Sequence, residues 1–295
     1  MKILLIASHG QVGFQLQRSL ACLGEVIATN RTSLDLTDVD KVMDFIRQLK
    51  PDLIVNAGAY TAVDKAETEQ ALAHQVNAIA PGVLAKLAKE LDIPLIHYST
   101  DYVFDGHKVG AWNEQDKPAP LNYYGQSKLE GEQAVSDTGC KYLIFRVSWV
   151  YDRRGKNFVN TMLRLAKEKD ELNIVDDQVG APTWSRHIAD ATAQIILQSK
   201  LIPDFWERHS GIFHMSAAGK TSWKEFADKI FELAAHEGMK IPVVHAIPTS
   251  AYPTKAERLL NSCMDNSKLV NTFGVQLPDW QLSLQWVMRT DERSN

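Results

Sequence analysis

Short apolar runs alternate with amphipathic stretches through the first half of the chain. Ile3–Ala7, Glu25–Thr29, Leu53–Asn56, Leu95–Tyr98 and Leu143–Val147 are compact and rich in Ile, Leu and Val, as strands buried on both faces require. Between them, Gln11–Cys22, Val39–Leu49, Gln70–Leu91 and Asn122–Asp137 set apolar residues at helical spacing. This alternation over about 150 residues predicts right-handed βαβ units and a doubly wound parallel sheet, an α/β fold of Rossmann type.

After Trp149 the rhythm loosens. A helix is expected at Asn157–Lys169, a loop at Asp176–Thr183 around Gly180 and Pro182, and a helix near Arg186–Leu197. Ser222 and Glu225 have the spacing of a capping box, so another helix should open at Ser222. Ile241–Arg258 holds Pro242, Pro248 and Pro253 and reads as irregular chain. The organisation expected is a first domain over 1–150, joined by part of 184–216, and a smaller, interleaved α/β domain over most of 151–295.

At 295 residues the chain is roughly twice a typical domain. With 45% hydrophobic and 23% charged residues it is neither collagen-like, coiled-coil nor disordered. Lys plus Arg number 32 against 36 for Asp plus Glu, a net charge of −4 with no block of one sign. That balance argues against a grip on nucleic acid or anionic lipid and leaves a small molecule as the default partner. No apolar run reaches the length of a membrane span, and the opening MKILLIAS is a strand rather than a signal segment. Cys22, Cys140 and Cys263 form no CxxC pair, which argues against a disulfide framework or zinc site and fits a reducing cytoplasm.

Chemistry enters where the first strand ends. Ala7-Ser8-His9-Gly10-Gln11-Val12-Gly13 leads straight into a helix. Gly10 lets the backbone turn tightly beside a pyrophosphate, Gly13 lets helix and sheet pack closely, and the helix N-terminus faces the phosphate charge. A dinucleotide is the ligand this points to; a plain strand–helix turn is the alternative. The second strand ends at Thr29-Asn30-Arg31. An acidic side chain there would bind the ribose 2′-OH of NADH, whereas Arg31 can pair with a 2′-phosphate, so the reading leans to NADPH. The plainer reading of Arg31 is an exposed loop cation. Asp35 either contacts the adenine or begins the approach to the next helix.

Tyr124-Gly-Gln-Ser-Lys128 places a phenol and an ammonium on one helix face. A phenol titrates near pH ~10, and a neighbouring cation lowers that value toward the working range. YxxxK is common by chance. Here it follows a strand ending in Ser99-Thr100-Asp101-Tyr102, and in a doubly wound sheet ligands bind at the carboxyl ends of strands. The Thr100 hydroxyl can there bond a substrate oxygen and the phenol. The nine histidines show no HExxH or Cys/His ligand spacing, so no catalytic metal is expected.

These residues resemble the extended short-chain dehydrogenase/reductase family. The strings GQVG (10–13), AVDKAE (62–67), HYSTDYVF (97–104), APLNYYGQSKLEGE (119–132), FRVSWVY (145–151) and DQVGAPT (177–183) narrow the resemblance to the reductases that complete dTDP-L-rhamnose synthesis, and it runs from Met1 to about Trp286. It implies NAD(P)H-dependent reduction of the C4 ketone of dTDP-4-dehydro-L-rhamnose to dTDP-L-rhamnose for cell-surface polysaccharide, a nucleotide-sugar partner and a homodimer. Some members carry Mg²⁺ at a subunit contact, whose ligands this sequence does not locate. The resemblance makes Tyr124 the proton donor, Lys128 the residue that holds the nicotinamide ribose and tunes the phenol, and Thr100 the third member. It puts cofactor contacts at Gly10, Gln11, Val12, Asp35, Leu36, Ala59, Tyr60, Thr61 and Tyr98, beside Asn30 and Arg31. The sugar nucleotide falls to Thr100, Asp101, Tyr102, Tyr124 and Trp149, although core packing is the plainer reading of Trp149.

Three departures stand out. Ala7 replaces the first glycine of the turn, which is tolerable only with a negative φ and a methyl that clears the cofactor. Asn30 stands where an acidic residue is frequent, and Arg258-Leu259-Leu260-Asn261-Ser262 stands where an Arg-Pro pair precedes Asn-Ser. Two rival readings stay open: a nucleotide-sugar epimerase or dehydratase on the same scaffold, and a non-catalytic NADP-binding regulatory subunit. Net consumption of NAD(P)H separates them from a reductase.

Overall fold

A computed structural model describes residues 1–289; residues 290–295 of the expected second domain lie outside the described residues. The strands are β1 (Lys2–Ile6), β2 (Glu25–Ala28), β3 (Leu53–Asn56), β4 (Leu95–Thr100), β5 (Tyr142–Val147), β6 (Glu171–Val175), β7 (Gly211–His214) and β8 (Val243–Ile247), besides shorter two-residue pairings. Six of them form one all-parallel sheet in the order β7-β5-β4-β3-β1-β2.

The period of two along β1 explains how the sheet is covered. Ile3 and Leu5 enter a cluster with Leu16 and Leu20 of α1 (Gln11–Leu20) and with Ile188 and Ile195 further along the chain. Leu4 and Ile6 enter the opposite cluster, with Val42 and Ile46 of α2 (Val39–Leu49). Helices therefore close both faces, and each fully buried Leu or Ile contributes about 1.5–3 kcal/mol.

The stretch expected as one helix from Gln70 is α3 (Gln70–His74), a π-helical turn (Gln75–Ile79) and α4 (Ala80–Glu90). Pro81 has no N–H to return to the Asn77 carbonyl, so a regular α ladder fails there. The wider turn carries a fully buried Asn77, which bonds both backbone groups of Tyr60 and the Ser127 hydroxyl.

The remaining long helices are α5 (Tyr123–Ser136), α6 (Phe158–Glu168), α7 (Ser185–Leu201) and α8 (Trp223–His236). The Ser222 capping box is formed, with its hydroxyl and the Glu225 side chain each taking a backbone N–H. A third cluster gathers Tyr151, Val159, Met162, Phe226, Ile230, Trp280 and Leu284.

Ile241–Arg258 is not irregular throughout, contrary to expectation. Val243–Ile247 pairs in parallel with β6. Pro242 and Pro248 bracket this strand rather than interrupt it, so no ladder donor is lost. Within the main sheet, the chain leaves β1 for β2 on one side and resumes at β3 on the other. The crevice this opens, at the carboxyl ends of β1 and β3, is where a doubly wound sheet binds its ligand.

Candidate active site

The turn after β1 has the features an anionic ligand needs. Helix α1 begins at Gly10 with no side chain capping it and no acidic residue in its first turn. By contrast α2, α5 and α6 are capped by Asp38, Asn122 and Asn157. The first N–H groups of α1 are thus left without a side-chain acceptor at the mouth of the crevice, as a pyrophosphate requires. At Gly13 any Cβ would sit 2.2 Å from the Ala7 carbonyl oxygen, which demands glycine.

Ala7 overturns the expectation of a negative φ. Its φ is +61°, because the turn closes by a bond from Gly10 N–H to the Ala7 carbonyl while α1 presses on that same carbonyl. The fold imposes the left-handed conformation, and the methyl costs about 1–2 kcal/mol there.

A cavity of about 330 Å³ opens beside the turn. Its wall includes Ala7, Asn30, Arg31, Asp35, Leu36, Ala59 and Tyr60. Arg31 lies 3.5 Å from Asp35 and its side chain is 81% exposed. Asp35 lines the cavity, and its carboxylate accepts from the Thr37 N–H and hydroxyl, bonds that hold it below its ordinary value. Gly58, Lys65 and Glu69 also line the cavity, and Glu69 takes the Tyr60 hydroxyl at 2.7 Å. The sequence reading missed these three; the signal for Lys65 was its place in AVDKAE, on the segment following β3.

Other expected cofactor residues do not line this cavity. Gln11 accepts from Asn157 Nδ2 at 3.0 Å, and Val12 packs on the core. Thr61 is exposed. The Tyr98 ring is buried, and its hydroxyl bonds Thr192 of α7 at 2.8 Å, leaving its carbonyl to face the site.

At the end of β4 the proton-transfer candidates converge. Asn122 caps α5 by accepting from the Gly125 N–H. Gly125 lets the helix touch the Tyr102 carbonyl, which a Cβ would approach to 2.1 Å. Tyr124 and Lys128 both turn inward, with relative exposures of 9% and 1%. The Thr100 hydroxyl neighbours the phenol, and the Tyr102 ring packs edge-on to Tyr124 at 5.5 Å. Thr100 donates to the buried Asp101 carboxylate at 2.8 Å and Ser148 donates to its other oxygen. Burial nevertheless pushes Asp101 above its ordinary value.

The expected lowering of the phenol by Lys128 is not what this site shows. Burial dominates and raises Tyr124, with the Thr100 hydrogen bond pulling the other way. The lysine amine is directed at the Tyr98 carbonyl (2.7 Å) and at His97 Nε2 (3.3 Å). Burial lowers Lys128 itself to about 8, opposed by Glu132 one turn on, which is in turn forked onto the buried Arg146.

Trp149 is half-buried, with φ +45°, and stacks on Trp223 at 3.5 Å with 5° between the rings. Its ring also lies against Gly180, where a Cβ would meet it at 2.5 Å. Arg258 bonds Asp64 at 2.6 Å and so ties the C-terminal segment to the short helix Val63–Ala66 that follows β3. Among the described residues no group of three or more His, Cys, Asp or Glu could hold a metal ion. No described helix is long and apolar enough to cross a membrane.

Comparison with known proteins agrees with this geometry. The sequence pattern of the RmlD substrate binding domain matches residues 1–292. The dTDP-4-dehydrorhamnose reductase of Burkholderia thailandensis is 46% identical over 293 residues, covering 98% of each chain. Among solved structures, a dTDP-4-dehydrorhamnose reductase from Clostridium acetobutylicum superposes with a TM-score of 0.90 at 37% identity, covering 98% of each chain. The dTDP-4-dehydrorhamnose reductase of Bacillus anthracis in complex with NADP has a TM-score of 0.86 at 35% identity, covering 97% of this chain and 98% of that one.

Proposed function

The chain belongs to the RmlD substrate binding domain family, and from that premise we propose that it is the reductase of dTDP-4-dehydro-L-rhamnose, yielding dTDP-L-rhamnose at the expense of NAD(P)H. The observation that carries the reading is Tyr124: a buried phenol beside the Thr100 hydroxyl, in a chain similar from end to end to named reductases. A bound nicotinamide supplies the hydride that reaches the sugar C4.

The chain's own residues do the rest. A phenol raised by burial stays protonated at neutral pH, so Tyr124 is an acid matched to the strongly basic alkoxide that develops at the reduced carbon. Thr100 and Tyr124 together hold that oxygen as charge builds on it. Lys128 stands on the same helix face and holds the cofactor ribose. The free N–H groups of α1 and the backbone at Gly10 hold the pyrophosphate, and the cavity of Arg31, Asp35 and Ala59 takes the adenosine end. Arg31 and Lys65 favour NADPH, because both can meet a 2′-phosphate. On the same reading, residues 1–150 form the cofactor-binding half and the remainder mainly the sugar-nucleotide half. The enzyme works in the cytoplasm as a homodimer and feeds cell-surface polysaccharide.

The test is a spectrophotometric assay with dTDP-4-dehydro-L-rhamnose and, in parallel, NADH or NADPH. Stoichiometric oxidation of the cofactor is expected, faster with NADPH at limiting concentration. No oxidation of either would return the chain to a binding role, and turnover without net oxidation would make it an epimerase.

A further inference from the structure

Buried polar groups around Lys128 connect in a single direction. The Gly58 N–H donates to Asn56 Oδ1 at 3.0 Å, which turns the Asn56 amide nitrogen toward His97 Nδ1 at 3.1 Å. Turning the amide over would set its N–H groups against the Gly58 N–H, so its orientation is settled by the backbone. Nδ1 of His97 is therefore an acceptor. The ring is fully buried, and burial first, then any charge that Lys128 carries when protonated, hold it well below its ordinary value; the Asn56 carbonyl beside it pulls more weakly the other way. A neutral imidazole that accepts at Nδ1 carries its proton on Nε2. That atom lies 3.3 Å from Lys128 Nζ, which lies 2.7 Å from the Tyr98 carbonyl.

We infer that His97 is a positioning residue for Lys128, presenting its Nε2–H to the lysine nitrogen in a one-way chain of donors that starts at the Gly58 N–H and ends on the Tyr98 carbonyl. This rests on the reading of Lys128 as part of the proton-transfer set. The order of donors suits an amine at Lys128, its lone pair toward Nε2 and one N–H toward Tyr98. An added proton would set N–H against N–H, so His97 opposes charge on the lysine, in the same sense as burial. Of the other ionisable neighbours, Glu132 favours the charge but is clamped by Arg146, and the Tyr98 phenol is turned away to Thr192. Gly58 is also part of the cofactor cavity wall, so the chain joins that wall to the catalytic helix.

The test follows the Lys128 Nζ resonance by NMR in lysine-labelled protein, assigned with Lys128→Arg and titrated with pH. His97→Gln keeps an acceptor and a donor in the same order and should titrate with the wild type. His97→Leu removes the opposing N–H, and the midpoint should rise by on the order of one pH unit. Asn56→Ala frees the ring to exchange tautomers and should also raise it; this variant decides the matter if His97→Leu does not fold. An unmoved midpoint in folded His97→Leu and Asn56→Ala makes His97 mere filling and overturns the inference. A lower midpoint means that His97 accepts from an ammonium, and overturns it too. The readout needs no turnover, so failure of the reductase reading shows separately, as wild-type protein that oxidises no NADPH.

Discussion

The cavity at Arg31 and the corner at Tyr124 lie at the ends of neighbouring strands, yet they meet water in opposite ways. Arg31 at the cavity is 81% exposed and its partner Asp35 37%. At the end of β4, Thr100 is 4% exposed and Lys128 1%. Exposed charges are screened and hold a ligand by modest, replaceable contacts. Buried groups feel a weak dielectric, and their proton affinities move: Tyr124 upward, Lys128 and His97 downward. On the proposed reading, cofactor choice is thus written on the surface and proton transfer in the interior.

The sharpest way to break this contrast is Tyr124→Phe. It should lower kcat by about 10²–10⁴-fold and leave the KM for NADPH nearly unchanged; steady-state kinetics with near-normal turnover would remove the buried corner from the mechanism.

The second effect is acid sensitivity. His97 and His214 are both buried and held neutral, His214 down to about 3 by burial first and then by Arg146. The unfolded chain takes up these protons below about pH 6.5 while the folded one does not. Stability is therefore complete above that pH and is lost as pH falls, by about 1.4 kcal/mol per pH unit for each histidine that stays neutral, down to about 3 for His214. Urea unfolding across that window measures the slope, and His214→Gln should remove roughly half of it. A flat profile would show that burial does not govern the interior groups.

At the exposed pole, Arg31→Ala should raise the KM for NADPH about tenfold and leave that for NADH alone. An equal change for both cofactors would mean that Arg31 reads no 2′-phosphate. The smallest effect is Ala7→Gly. Relief of the left-handed strain outweighs the added freedom of the unfolded chain, for a net gain of up to about 1 kcal/mol. Thermal unfolding would register a loss instead if the methyl is a needed contact.

Much of the architecture was legible along the chain. Leu53–Asn56 and Val39–Leu49 were placed with their observed ends, since periodicity over a few residues is a local property. The glycine turn and the Tyr124/Lys128 pair were legible for the same reason: spacing of three or four residues decides which side chains share a helix face. His97 was quoted only as part of a string, although a histidine inside an apolar strand was the available signal of a buried polar partner. Val243–Ile247 was hidden by its flanking prolines, and its pairing partner lies some 70 residues earlier.

Residue order alone settled the strand–helix alternation, the glycine turn after the first strand and the presence of a phenol and an amine on one face. Packing across distant segments decided the rest: the left-handed Ala7, the Arg258–Asp64 tie and the direction in which Lys128 points. Whether a phenol is raised or lowered depends on what surrounds it in space. Desolvation and hydrogen bonding are summed over neighbours that the chain brings together only when it folds.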